Sequence, residues 1–282
     1  QLIHLNVALP MGIAVLHLHQ KYRVPLVLNE NWSGYCAEDG AYKGFMQKYF
    51  TQKIVAAAKV IMPTSSYLAE AMQSHGLKGK YKIVPNVVNT ADFKPLPSAT
   101  HSGIRFLHIS SLNDREKNVS GLLRAFALAL KQRSDLELHL IGESEERVKL
   151  EQYAVALGIA DKVFFKGRKF KAELVQELND ADAHVMFSHF ETFCLVNIEA
   201  FACGKPVISS AAGGIKTYLT PQLGIMVPVG DEQAMAEALL KFAANPHQFD
   251  AKKITAYAIE KYSYEQVGKQ LDEIYNEALS SD

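Results

Sequence analysis

Two glutamates, Glu191 and Glu199, stand eight positions apart on either side of a predicted strand-to-helix turn. The stretch SHFETFCLVNIEAFACGKPV (188–207) reads as a strand ending at Phe187, a loop carrying Glu191, and a helix beginning near Cys194. A helix start offers unpaired backbone N–H groups and the positive end of its dipole, which suits a diphosphate. Glu199 falls one to two turns into that helix and can face the same cleft as Glu191. Both carboxylates could then accept hydrogen bonds from sugar or ribose hydroxyls. On the two acids alone, a capping glutamate and a solvated glutamate are the simpler account.

Other residues of the same kind follow other predicted strands. Ser110 to Gly121 (SSLNDREKNVSG) joins a strand to a helix and carries Arg115 and Lys117, cations that could neutralise a leaving phosphate. Ala211-Ala212-Gly213-Gly214-Ile215 is a turn whose glycines let backbone approach a ligand closely. Gly142 and the pair Gly167-Arg168 end two more strands, and as residues they are no more than strand-end glycines with one base. In the first third, Asn29-Glu30-Asn31-Trp32 follows a strand and places a carboxylate and an amide at its end. Asn31 can hydrogen-bond a hydroxyl but cannot act as a base.

Several features point elsewhere and are weaker. Asp180-Ala181-Asp182 has a metal-binding spacing, yet it sits at a predicted helix end before a buried strand, where capping explains it. His17 and His19 fall on different sides of a helix, so no metal ligand pair is expected. Gly12 and its neighbours lack a G-x-G-x-x-G run, so a dehydrogenase has no support. Lys43, Lys48 and Lys53 could give the helix Tyr42–Ala57 a basic, membrane-facing side, or simply a solvated one.

The elements that must position these residues alternate short β-rich runs with amphipathic helices, as in βαβ units around a parallel sheet. Strands are expected at Ile3–Val7, Leu26–Leu28, Val60–Met62 and Lys82–Val84, with helices Met11–Tyr22, Tyr42–Ala57 and Ser65–Gln73. Residues 90–102 (TADFKPLPSATHS) are polar and aperiodic, and read as a linker. Beyond it, strands at Arg105–Ile109, Glu137–Ile141, Val163–Phe165, His184–Phe187, Pro206–Ser209 and Gly224–Val227 alternate with helices. Three helices, Glu232–Ala243, His247–Glu260 and Tyr264–Leu279, close the chain. In such sheets ligands bind beyond the carboxyl ends of the strands, where the residues above cluster.

The chain has 282 residues with 30 acids and 30 bases, so nothing in its balance suggests a nucleic-acid partner. Its three cysteines, Cys36, Cys194 and Cys203, form no paired or metal-ligand spacing, which fits a reduced, cytoplasmic compartment. No apolar run approaches the roughly 20 residues of a membrane span.

Over nearly its whole length the chain resembles the retaining glycosyltransferases of family 4 (group 1), whose signature is E-x7-E running into E-A-x-A-x-G-x-P-V. Glu191 and Glu199 have that spacing, and Glu199-Ala200-Phe201-Ala202-Cys203-Gly204-Lys205-Pro206-Val207 matches the continuation. The resemblance implies the GT-B fold: two Rossmann-like α/β domains facing a cleft. They would be a partial acceptor-side domain over 1–95, a donor domain over 96–262, and a last helix over 263–282 returning to the first. It also implies transfer from a UDP- or GDP-sugar, without metal or other cofactor, to a carbohydrate or lipid-linked acceptor. Polysaccharide, lipopolysaccharide or glycolipid synthesis is the expected setting, in the cytoplasm and with contact to the inner face of a membrane.

Carried over residue by residue, Glu191 would contact sugar hydroxyls, Glu199 the ribose, and amides near Phe193, Cys194 and Leu195 the phosphates. Lys117 fits the family's phosphate-neutralising lysine, while Ser111 stands where an arginine is usual, a role Arg115 could take. Gly213 and Gly214 match a G-G-x-x-E run, with Thr217 replacing its glutamate. Gly142 and Arg168 would hold the base, and Glu30 and Asn31 would lie on the acceptor side, Asn31 replacing a common histidine. Residues 1–89 supply about half of a typical doubly wound domain. A fragment with an incomplete acceptor side is therefore expected, and a nucleotide-sugar binding module without turnover is the alternative.

Overall fold

The structure is a computed structural model and describes residues 1–280. Contacts divide the chain into two compact units. The first holds Gln1–Val87, Glu191–Phe193 and the chain from Tyr264 onward; the second holds Val88–Phe190 and Cys194–Ser263.

In the first unit, strands β1 (Ile3–Asn6), β2 (Leu26–Glu30) and β3 (Val60–Pro63) pair in parallel in the order β1-β2-β3. Helices α1 (Gly12–Tyr22), α2 (Phe45–Ala57) and α3 (Ser66–Ser74) accompany them. Apolar side chains leave both faces of β2, as expected of a parallel strand buried on both sides. Leu26 and Leu28 join one core cluster with Ile54, Leu68 and Met72, and Val27 joins another with Val60 and Met62. Helix α2 begins three residues later than the periodicity suggests. Gly44 caps it in extended conformation, and Tyr42 is instead buried beside Tyr35 and His75. The expected strand Lys82–Val84 does not form as such. Tyr81 makes only a bridge to Ile61, while Lys82 and Val84 N–H groups donate to the Ile61 and Pro63 carbonyls.

The second unit carries a six-stranded, wholly parallel sheet in the order β6-β5-β4-β7-β8-β9. Its strands are β4 (Ile104–Ile109), β5 (Leu136–Ile141), β6 (Val163–Phe165), β7 (Ala183–Met186), β8 (Val207–Ser210) and β9 (Gly224–Val227). Its helices are the single turn α4 (Asp114–Lys117), then α5 (Val119–Leu130), α6 (Arg147–Ala156), α7 (Ala172–Asp180), α8 (Leu195–Ala202), α9 (Glu232–Ala244) and α10 (Ala251–Tyr262). On α5 the buried residues Val119, Leu122, Leu123, Phe126 and Ala129 recur at helical spacing and form one stripe against the core. Phe106 of β4 meets Phe242 of α9 with ring centroids 5.8 Å apart. Burying each such ring contributes roughly 1.5–3 kcal/mol.

The stretch 90–102, expected to be a linker, is partly fixed to α7. Leu96 N–H donates to Asn179 Oδ1 at 2.7 Å, and Ala99 N–H to Asp180 Oδ1 at 2.8 Å. Asp182 Oδ2 accepts Arg105 N–H at 2.8 Å, so both acids of the D-x-D run hold backbone. The expected helix His247–Glu260 is a short 3-10 turn followed by α10, whose start is capped by Asp250. The last helix, α11 (Tyr264–Ser280), belongs to the first unit, where Val267, Ile274 and Ala278 pack with Val27, Val60 and Met62. Glu277 of α11 pairs with Lys80 and Lys82. Among the described residues no helix is long and apolar enough to cross a membrane.

Candidate functional site

The strand order of the second unit reverses between β4 and β7, so the loops that leave these neighbours diverge and open a crevice at their carboxyl ends. The two loops are tied by one backbone bond, His189 N–H to the Glu116 carbonyl at 2.8 Å. Lys117 and the approach to α8 therefore share one end of the sheet.

The loop after β4 is held from several sides. Ser110 Oγ lies 2.8 Å from His108 Nε2 and accepts Leu112 N–H at 2.9 Å. His108 is wholly buried, with Nδ1 3.0 Å from the Val185 carbonyl, and burial drives its pKa down to about 4. It is neutral: Nδ1–H donates to the carbonyl and bare Nε2 accepts the Ser110 hydroxyl. Asp114 Oδ1 accepts Ser120 N–H at 2.7 Å, and Asp114 N–H donates to Glu146 Oε2 at 2.7 Å. Lys117 ends the single turn of α4 and is half-buried. Asn118 follows with φ 49°, and this left-handed residue separates α4 from α5. The Lys117 charge contributes to the lowered His108 pKa, which places it close to the strand end. Arg115 and Ser111 are exposed.

At the next loop Cys194 caps α8 with φ 67° and ψ 78°. That backbone region costs a non-glycine residue roughly 1 kcal/mol or more, so surrounding contacts must hold it. The Cys194 carbonyl accepts Asn197 N–H at 3.2 Å and Tyr218 OH at 3.4 Å. Asn197 Nδ2 donates to the Tyr218 oxygen at 2.9 Å, and Asn197 Oδ1 lies 3.0 Å from His184 Nδ1. His184 is fully buried and its pKa falls to about 3, so it stays neutral and donates to Asn197. Replacing Tyr218 with Phe leaves the buried Asn197 amide without this acceptor. The expected cost is about 1–2 kcal/mol in urea unfolding, with helix content unchanged. A midpoint equal to wild type would mean that the network does not hold the cap.

Glu199, further along α8, is half-buried, and burial alone raises its carboxyl to about 7. Among the described residues it has no hydrogen-bond or ion-pair partner. Its ability to accept hydrogen bonds is unused. Glu191 and Phe193 fall in the first unit, the one half-buried and the other buried. There Ser65 Oγ donates to the intervening Thr192 carbonyl at 2.6 Å.

The glycines sit where backbones crowd. Gly142 has φ 143°, and a Cβ there would stand 1.9 Å from the Ser110 carbonyl oxygen, so no side chain fits. Its N–H donates to the Gly167 carbonyl at 3.0 Å, joining the ends of β5 and β6, and Arg168 beside it is exposed. Gly213 and Gly214 are buried in a 3-10 turn after β8, and Thr217 Oγ1 donates back to the Gly214 carbonyl at 2.7 Å.

Glu30 is the residue whose expected place changes most. It is fully buried: Oε2 accepts from Ala8 N–H and Tyr35 OH, and Oε1 from Asn31 and Trp32 N–H, at 3.0–3.1 Å. Its oxygens are occupied by the turn they organise, so this carboxylate is not offered to an acceptor. Asn31 is exposed. No group of three or more potential metal ligands occurs among the described residues.

The buried histidine–asparagine–tyrosine network was not anticipated from the sequence. A histidine inside the apolar strand RFLHI, and another in AHVM, was the available signal, since buried polar groups need partners.

Fold and site together define a doubly wound α/β unit with a helix amino terminus and a half-buried carboxylate near its switch point. The family described as Glycosyl transferases group 1 matches residues 98–273, well over half of the chain, and the chain belongs to that family. It is similar to N-acetyl-alpha-D-glucosaminyl L-malate synthase of Bacillus anthracis, 28% identical over 62% of this chain and 46% of that protein. It is also similar to alpha-monoglucosyldiacylglycerol synthase of Streptococcus pneumoniae, 23% identical over 99% of this chain and 67% of that protein. Sucrose-phosphate synthase from Thermosynechococcus elongatus superposes with a TM-score of 0.85 at 24% identity, covering 100% of this chain and 74% of that one. The fold is GT-B. The chain spans 40–48% of the length of several curated relatives that it matches.

Proposed function

We propose that this chain binds a UDP- or GDP-sugar at the strand ends of its second unit and transfers the sugar, with retention, to a carbohydrate or lipid-linked acceptor. The observation that carries the reading is the bond between His189 and Glu116 at the sheet's switch point. It gives Lys117 and the α8 amino terminus a common end of the sheet, where a diphosphate would meet positive charge and the positive end of the helix dipole. Glu199, half-buried and, among the described residues, without a hydrogen-bond or ion-pair partner, suits two ribose hydroxyls. Glu191 is assigned the sugar hydroxyls through its place in the E-x7-E run, and Gly142, Gly167 and Arg168 the base. In this reading the leaving diphosphate accepts the acceptor's proton on the face it vacates, so no protein base and no metal is called for. The diacylglycerol named in one relative favours a glycolipid product among the possible acceptors.

A thermal-shift panel with UDP, GDP and ADP tests this. One nucleotide at about 100 times its Kd should raise Tm by roughly 5 °C. The same donor sugar should then be hydrolysed or transferred, and Glu191→Ala should abolish that turnover. No shift with any nucleotide would sink the reading. A binding module without turnover is the second reading, favoured by exposed Ser111 and by Thr217, whose hydroxyl is spent on Gly214. It predicts the shift without the turnover.

A further inference from the structure

We propose that Ser65 is a positioning residue for sugar transfer, acting on Glu191 and on the Phe193 amide through the Thr192 carbonyl between them. The inference takes the roles of Glu191 and of that amide from the donor reading. Ser65 itself is fixed on both sides. Just before it, Thr64 N–H donates to the Glu30 carbonyl at 3.1 Å at the end of β3, and the Ser65 carbonyl accepts Ala69 N–H at 3.1 Å in α3. Its side chain is buried. A serine hydroxyl has one proton to give and lone pairs that receive. Here Oγ accepts Leu68 N–H at 3.2 Å, which caps α3, and gives its proton to the Thr192 carbonyl at 2.6 Å. Capping needs only an acceptor, and aspartate serves as well as serine. The second bond needs a donor, which an ionised aspartate lacks.

The partner lies 127 residues further along the chain, in the three-residue run Glu191–Phe193 that belongs to the first unit with Ser65. The bond is therefore internal to that unit. What it fixes follows from peptide geometry. The Thr192–Phe193 bond is trans, so the Thr192 carbonyl and the Phe193 N–H share one plane and point in opposite directions. Holding the carbonyl on Ser65 sets the direction of the N–H assigned to the donor phosphates. It also fixes the plane one residue beyond Glu191, from which that side chain takes its bearing. The run is anchored at both ends as well. His189 N–H is bound to the Glu116 carbonyl, and the Cys194 carbonyl accepts from Asn197 and Tyr218. Ser65 adds a support midway between these anchors. A group displaced by about an ångström near a reacting centre can cost 10²-fold in rate, so such a support has a kinetic consequence.

Three variants of the full chain separate the two bonds. Ser65→Ala and Ser65→Gly both remove the hydroxyl, but glycine caps a helix nearly as well as serine and alanine does not. Both should lower kcat by about tenfold and to the same extent, while only Ser65→Ala clearly lowers Tm. Ser65→Thr keeps hydroxyl and cap, and should recover most of the rate. Hydrogen exchange needs no donor: the amides of residues 190–194 should exchange about tenfold faster in the Ala and Gly variants. Unchanged exchange in both overturns the proposal. So does a loss of rate confined to Ser65→Ala, which would assign the effect to the cap. Faster exchange in a chain whose Tm no nucleotide raises would support the Ser65 brace and sink the donor reading instead.

Discussion

Lys117→Ala is expected to slow sugar transfer by roughly 10²–10³-fold while leaving the fold intact. In the proposed reaction, breaking the anomeric bond leaves a diphosphate, and most of the barrier lies in the negative charge that develops on it. A fixed cation acts on that charge more strongly in the transition state than in the bound donor, so the loss should fall on kcat. Lys117 is suited to this because its main chain is immobilised. Its N–H donates to the Asn113 carbonyl at 2.8 Å, Asp114 is braced by Glu146, and the next residue is a left-handed asparagine. Lys117→Arg keeps the charge but not its position, and should recover only part of the rate. Arg115→Ala should cost less than tenfold, since that side chain stands exposed on the same turn. Steady-state kinetics with the donor found by the nucleotide panel decides the matter. A Lys117→Ala enzyme within threefold of wild type would remove Lys117 from the mechanism.

The parallel α/β architecture was legible because each second-unit strand is a short apolar run between amphipathic helices, and Val163–Phe165 and Gly224–Val227 form as read. Element ends were less legible where a neighbour in space decides them. Tyr42 looks like the first turn of a helix, but its ring is drawn into the cluster of Tyr35 and His75. The stretch 90–102 looks unattached because its anchors, Asn179 and Asp180, lie some 80 residues further on. Glu30 shows the same limit at a candidate site. Its sequence neighbours suggest a ligand-facing acid, but the Ala8 N–H comes from another βα unit and completes its burial. The E-x7-E run and its continuation were readable as a motif because they are contiguous in the chain, from the turn before α8 through that helix to the start of β8. What holds that turn, Asn197 with His184 and Tyr218, spans three elements and becomes visible only in the folded chain.

Nucleotide affinity should rise with pH up to about 7, and Glu199→Gln should flatten that dependence. Burial raises the Glu199 carboxyl from 4.5 to about 7, and among the described residues no partner opposes it. Two ribose hydroxyls donating to it would favour the ionised form, so binding lowers its pKa and releases a proton near neutrality. Below about pH 7 affinity should fall by up to tenfold per unit until the pKa of the complex is reached. The diphosphate titrates in the same range, so the signal is the difference between wild type and Glu199→Gln, read by calorimetry in buffers of different ionisation enthalpy. The stability of the free protein should move the other way. The folded carboxyl binds its proton more tightly than the unfolded one, so stability is highest below about pH 4.5 with respect to this group. It declines as pH rises to about 7 and is flat beyond. Glu199→Gln should therefore stabilise the protein near pH 8, by up to about 3 kcal/mol, while weakening nucleotide binding. A variant that neither gains stability nor loses affinity at that pH would show that this carboxylate is solvated and idle. If both changes occur, Glu199 is retained for its ligand at a cost to the fold.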